Sequence, residues 1–84
     1  MTDQRILVVD NDAATRDLIQ SQLEKEGFVV AGVGSGESAL NLIPTFEPEL
    51  ITLELMLPGI DGIEVCRRLR DDPHSSSIAI LVLT

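Results

Sequence analysis

The chain has no tryptophan and no tyrosine, and Phe28 and Phe46 are its only aromatic residues. Its core must therefore be packed from Ile, Leu, Val and Ala. Basic residues are also scarce: six Lys and Arg stand against 14 Asp and Glu, for a net charge of −8. Phosphate backbones are held by clustered Lys and Arg, so this segment is not expected to bind nucleic acid. An anionic membrane surface is disfavoured on the same ground. Plain solubility is the simplest use of the excess acid. A single cysteine, Cys66, rules out an internal disulfide, and no Cys/His spacing suggests zinc. On the apolar side of a predicted helix, Cys66 reads as a small buried hydrophobe. No apolar run is long enough to cross a bilayer, and the first residues, MTDQRILVVD, do not form a signal peptide. A cytoplasmic location is expected. The 84 residues suffice for one small domain that buries roughly 60–65 % of its unfolded surface.

What is present alternates regularly. Ile6 to Val9 is a short β-branched run that suits a strand buried on both faces. Asp12 is a candidate N-cap for a helix over Ala13 to Glu26, with Leu18, Ile19, Gln22 and Leu23 near one face and Gly27 just past its end. Phe28 to Val33 reads as a second strand. Ser35 or Gly36 opens a second helix carrying Ala39, Leu42, Ile43 and Phe46 at intervals of three and four. Pro44 inside it should shorten or kink it. Leu50 to Leu53 is a third strand closing on Glu54. Asp61 or Gly62 opens a third helix, with Ile63, Cys66 and Leu69 expected inward and Arg67, Arg68 and Arg70 outward. Glu64 and Arg68 are spaced to pair. Pro73 stops this helix, and Ile78 to Leu83 is a fourth strand. The order β-α-β-α-β-α-β implies an α/β fold, a doubly wound parallel sheet with right-handed crossovers. Its last strand leaves a sheet edge uncovered, so self-association is expected.

Two features read as structure alone. Gly32, Gly34 and Gly36 suggest a dinucleotide loop, but Glu37 occupies the place of its last glycine, so a turn is the better reading. His74 lies in a polar loop beside Pro73 and reads as a surface residue.

Chemistry is expected beyond the carboxyl ends of the strands, where open parallel sheets bind ligands. The first strand ends at Asp10 and Asn11, the third at Glu54 and the fourth at Thr84. If the first and third strands are neighbours, two carboxylates meet in one crevice. Clustered oxygens suit a hard cation such as Mg²⁺.

Four stretches resemble the receiver domain of two-component response regulators. They are ILVVDND at 6–12, GSGESAL at 34–40, PELITLELMLPGIDGIEVCRRLR at 48–70 and ILVLT at 80–84. The resemblance covers essentially the whole chain as one receiver-like domain, 1–84. It implies a flavodoxin-like sheet of strand order 2-1-3-4. It also implies phosphorelay signalling, in which a histidine kinase supplies a phosphoryl group to an aspartate in the presence of Mg²⁺. By position, Asp10 and Asn11 form the acidic pair, Glu54 takes the phosphoacceptor place, Met56 offers a metal-binding carbonyl and Thr84 is the switch hydroxyl. Asp10, Glu54 and Met56 would be the metal ligands.

The departures from the family pattern shape the functional expectation. Asn11 stands where a second acid is usual, which removes one charged metal ligand. Glu54 replaces the aspartate, and its extra methylene moves the carboxylate out by roughly 1.3 Å. In-line phosphoryl transfer tolerates little misplacement. The family's lysine, fourth helix, fifth strand and fifth helix lie beyond the last residue, so the resemblance is to a truncated receiver. The expectation is a pseudo-receiver that acts by protein–protein contact, is not an enzyme and binds Mg²⁺ weakly if at all. One alternative is an ordinary phospho-receiver, cut short, in which Glu54 imitates a phosphorylated aspartate. The other is a small Mg²⁺-dependent phosphotransfer enzyme with Asp10 or Asp12 as nucleophile.

Overall fold

A computed structural model describes residues 4–83. Four parallel strands, β1 (Arg5–Val9), β2 (Val29–Val33), β3 (Leu50–Glu54) and β4 (Ala79–Leu83), form one sheet in the order β2-β1-β3-β4. Helices α1 (Ala13–Lys25), α2 (Gly36–Phe46) and α3 (Gly62–Asp71) make the crossovers. This is the doubly wound arrangement and the strand order expected from the sequence.

The apolar runs form central strands because both faces are covered. Leu7 and Val9 of β1 and Ile51 and Leu53 of β3 point to one face, where they pack with Ala39 and Ile43 of α2 and Val65 and Leu69 of α3. Alternation sends Ile6 and Val8 to the other face, where they are also buried. Here α1 lies across β2, close enough that a Cβ on Gly32 would stand 2.8 Å from Gln20 Oε1 and 3.0 Å from Arg16 Cγ. A larger residue there would have to displace these two side chains.

The helix ends follow local chemistry. Asp12, Ser35 and Asp61 are the N-caps, accepting from the N–H groups of Thr15, Ser38 and Glu64. Helix α2 continues through Pro44 and ends at Phe46, where Glu47 takes a left-handed conformation with φ 54°. Two guanidinium groups tie down the sheet's amino end. Arg5 Nε donates to the Phe46 carbonyl at 2.7 Å, and Arg70 Nη1 donates to the Ser76 and Ile78 carbonyls, each at 2.8 Å. On the outer surface of α3, Glu64 pairs with Arg67 and Arg68. Hydrogen bonds from these two arginines pull its carboxyl down to about 2. Any stabilisation from the pairing is present above the ordinary glutamate value and is lost only as pH falls through about 2.

Several boundaries and faces differ from the sequence reading. Strand β1 begins one residue earlier, at Arg5, α1 ends one residue earlier, at Lys25, and β4 begins one residue later, at Ala79. Strand β2 begins at Val29, since the Phe28 N–H is spent on the carbonyl of Leu23 in the last turn of α1. On α1 the sheet-facing set is Arg16, Ile19, Gln20 and Leu23, all half-buried, whereas Leu18 and Gln22 are exposed. The inner row of α3 is Gly62, Val65 and Leu69, with Cys66 half-buried beside them, and Ile63 faces outward at 67 % exposure. Gly62 sets this rotation. A Cβ there would stand 2.7 Å from the Glu54 carbonyl oxygen, so the helix turns its bare position to the strand and carries Ile63 away. No helix among the described residues is long and apolar enough to cross a membrane.

This packing predicts unequal costs along α3. Leu69→Ala should destabilise the domain by about 2–5 kcal/mol, the range for emptying a buried leucine site. Ile63→Ala should fall within about 0.5 kcal/mol of the parent. Urea unfolding of the two variants checks the assignment, and equal losses would contradict it.

Candidate functional site

The site lies where β1 and β3 end side by side. The parallel register pairs Val9 with Leu53, so the next residues, Asp10 and Glu54, emerge together at the carboxyl edge. Asp10 is 9 % exposed, and its backbone N–H still continues the ladder to the Val33 carbonyl at 3.1 Å. Glu54 is half-buried. Its Oε1 accepts the Asn11 N–H at 2.9 Å, so the carboxylate bridges from the end of β3 to the loop after β1. Asp10 Oδ1 accepts the Asp12 N–H, also at 2.9 Å. Each carboxylate thus spends one oxygen on a backbone amide.

Of the residues predicted from the sequence, the structure brings Asp10, Asn11 and Glu54 together. Met56 lies in the loop after β3 and is 79 % exposed. Thr84 lies outside the described residues. Three residues around the crevice escape a sequence reading. Arg16 Nη1 donates to the Asp10 carbonyl at 2.7 Å and fastens α1 to the site. Its signal was available: it is a lone cation one turn into the helix after a run of acids. Glu37 accepts the Ile60 N–H across 23 residues of sequence. Gly62, already seen to press on Glu54, donates its N–H to the Leu55 carbonyl at 3.0 Å. The last two contacts are tertiary and leave no local pattern.

The donor set bears on metal binding. Among the described residues, no three of Asp, Glu, His and Cys come together as a metal cluster. Asp10 and Glu54 bring two carboxylates to this edge, each with one oxygen on a backbone amide, and Asn11 adds a neutral side chain.

The profile described as the response regulator receiver domain matches residues 6–84. The chain belongs to the response regulator receiver family. The DNA-binding response regulator MtrA of Mycobacterium tuberculosis is 47 % identical over 81 residues, covering 96 % of this chain and 34 % of MtrA. The DNA-binding dual master transcriptional regulator RpaA of Synechocystis is 42 % identical over 80 residues, covering 95 % of this chain and 33 % of RpaA. This receiver therefore spans about a third of the length of these curated relatives. Among solved structures, the N-terminal domain of a response regulator receiver protein from Methanoculleus marisnigri superposes with a TM-score of 0.92 at 34 % identity, covering 95 % of this chain and 65 % of that one. The flavodoxin-like receiver fold is common to these proteins.

The start of α1 in this receiver is sensitive to acid. Asp12 accepts from both the hydroxyl and the N–H of Thr15, and these bonds hold its carboxyl below the ordinary value of 3.8. A depressed carboxyl stabilises the fold above its unfolded pKa, and that contribution is lost as pH falls through the folded one. The Thr15 amide, followed by NMR, should keep its capped shift at pH 4 and lose it with a midpoint below 3.8. A midpoint at or above that value would contradict the capping assignment.

Proposed function

We propose that this receiver is a two-component signalling module that works through protein–protein contact and is not phosphorylated in the conventional way. The observation that carries the reading is Glu54, a longer acid at the phosphoacceptor position, whose carboxylate already holds the Asn11 N–H. Attack on a phosphodonor would need that carboxylate free and in line, and the added methylene displaces it. A fixed carboxylate here supplies permanent negative charge and partly imitates a phosphorylated aspartate. Asp10, Asn11 and Glu54 form the acidic pocket in this reading, and residues 1–84 act as one receiver-like unit. Thr84 is assigned the switch hydroxyl by position alone.

No enzymatic turnover is assigned. Arg16 directs its Nη1 to the Asp10 backbone carbonyl, and among the described residues no cationic side chain is bonded to Asp10 or Glu54 as a phosphoryl clamp would be. Mg²⁺ would meet Asp10, Glu54 and the Met56 carbonyl, a set with two charges, and is held weakly or not at all. The partner is a histidine kinase or another signalling protein, by membership of the family. We assign no nucleic-acid contact to this segment, whose net charge is −8.

Intact-mass measurement after incubation with acetyl phosphate and Mg²⁺ tests the reading. The expected spectrum is unchanged. A labile gain of one phosphoryl group at Glu54 would overturn it and mark an ordinary phospho-receiver. Titration of the same protein with Mg²⁺ should move the Asn11 amide only at millimolar metal, and saturation at low micromolar metal would contradict the weak site.

Self-association is the second element of the proposal. The outer edge of β4 has no neighbouring strand among the described residues, and Leu81, Val82 and Leu83 are 52 %, 40 % and 39 % exposed. An uncharged apolar strand with unpaired backbone groups recruits another chain, and a two-fold dimer is the simplest closed form. Light scattering behind a sizing column should show a dimer that grows with concentration. A monomer at hundreds of micromolar would refute it.

A further inference from the structure

We propose that Glu37, which lies outside the acidic pocket, is a positioning residue that fixes the loop between β3 and α3 beside Glu54. An acid in the first turn of a helix ordinarily serves its own helix, by offsetting the dipole or closing a capping box. In α2 the cap is already complete without it. Ser35 Oγ accepts the Ser38 N–H at 3.1 Å, and the two hydroxyls bond each other at the same distance. The Glu37 side chain instead crosses to the 55–61 loop, where its Oε2 accepts the Ile60 N–H at 3.3 Å.

The loop is shaped to receive it. Gly59 has φ +72°, and a Cβ there would stand 2.5 Å from Glu37 Oε2. The glycine is thus needed twice, for the left-handed turn and for the space that the carboxylate fills. Gly36, beside Glu37, has the same relation to the next element: its Cβ would stand 2.6 Å from Val65 Cγ2 and 2.8 Å from Ile60 Cγ1. The start of α2 is therefore pressed onto Ile60 by packing and tied to it by a charged hydrogen bond.

The loop's own backbone bonds lie at its ends. Leu55 N–H reaches the Leu83 carbonyl and Gly62 N–H reaches the Leu55 carbonyl, each at 3.0 Å. Glu37 supplies a tie from α2, near the α3 end of the loop. Because Leu55 directly follows Glu54, a loop that swings away from α2 moves the end of β3 and, through it, the carboxylate on Asn11. The path from Glu37 runs through Ile60, the Gly62–Leu55 bond and Glu54 to the Asn11 amide. The inference rests on the reading of Glu54 as the centre of the pocket.

Amide NMR and hydrogen exchange on the full chain test it, with Glu37→Ala, Glu37→Gln and Ser35→Ala. Glu37→Ala should cut Ile60 amide protection by about tenfold and shift the Leu55 and Asn11 amides, as expected for loss of one charge-assisted hydrogen bond. Glu37→Gln keeps an acceptor oxygen and should restore most of both signals. Ser35→Ala removes the helix cap and should lower the melting temperature while leaving the Ile60 and Asn11 amides in place. Overturning results are a Glu37→Ala spectrum confined to α2, or a Glu37→Gln variant no better than the alanine. Glu54→Ala, read at the Asn11 amide, examines the pocket separately. An unmoved Asn11 there would remove the pocket reading while the Ile60 result still stands for Glu37.

Discussion

The hydrogen bond from the Asn11 N–H to the Glu54 carboxylate joins two strands that are far apart in sequence and adjacent in the sheet. It exists because β1 sits between β2 and β3, so the first crossover leaves on one side and the second returns on the other. A crevice opens at such a reversal, and both strands deliver their final side chains to it. The buried aliphatic rows beneath, Leu7 and Val9 against Ile51 and Leu53, hold the register that sets the two ends level. Around the crevice, Arg16 fastens α1 and Gly62 brings α3 down onto the Glu54 carbonyl. Remove the register and none of these contacts has a partner at the right height.

Much of this was legible in the residues, for identifiable reasons. The strands are short and apolar between their ends, and the helices carry Asp12, Ser35 and Asp61 at their starts, so composition and caps agree. The meeting of Asp10 and Glu54 was legible because strand ends are marked by the switch from apolar to acidic there. Helix faces were read less well. Ile63 is apolar and sits at the right period for burial, yet the close approach of Gly62 to the Glu54 carbonyl turns it outward. On α1 the inner face holds Arg16 and Gln20, which bond the Asp10 and Val30 carbonyls, and Leu18 lies outside. At Ile63 a glycine's empty space outweighs the hydrophobicity of a neighbour. The reach of Glu37 to Ile60 could not be read at all, since it depends on how two loops meet in space.

The comparison with relatives places the chain in its family. Within this chain the acids settle on backbone amides: Asp10 on Asp12, Glu54 on Asn11, Glu37 on Ile60. An acid engaged in this way stabilises one arrangement of the loops around it. In the reading proposed above, the pocket presents one constant surface.

The placement of Arg5 and Arg70 on backbone carbonyls at the amino end of the sheet has a consequence for how the molecule meets others. Lys25, Arg67 and Arg68 lie toward that same end, since each helix runs opposite to the strands. Of the six basic residues, only Arg16 stands near the carboxyl end, where Asp10, Asp12, Glu37, Glu54 and Asp61 gather. At the amino end Glu24, Glu26, Glu47, Glu49, Asp71 and Asp72 offset the basic residues, whereas Arg16 alone stands against the acids at the carboxyl end, so the excess negative charge is greater at the crevice. A positively charged surface approaching from solution feels a torque before it feels a contact, and the molecule turns its crevice to face the visitor.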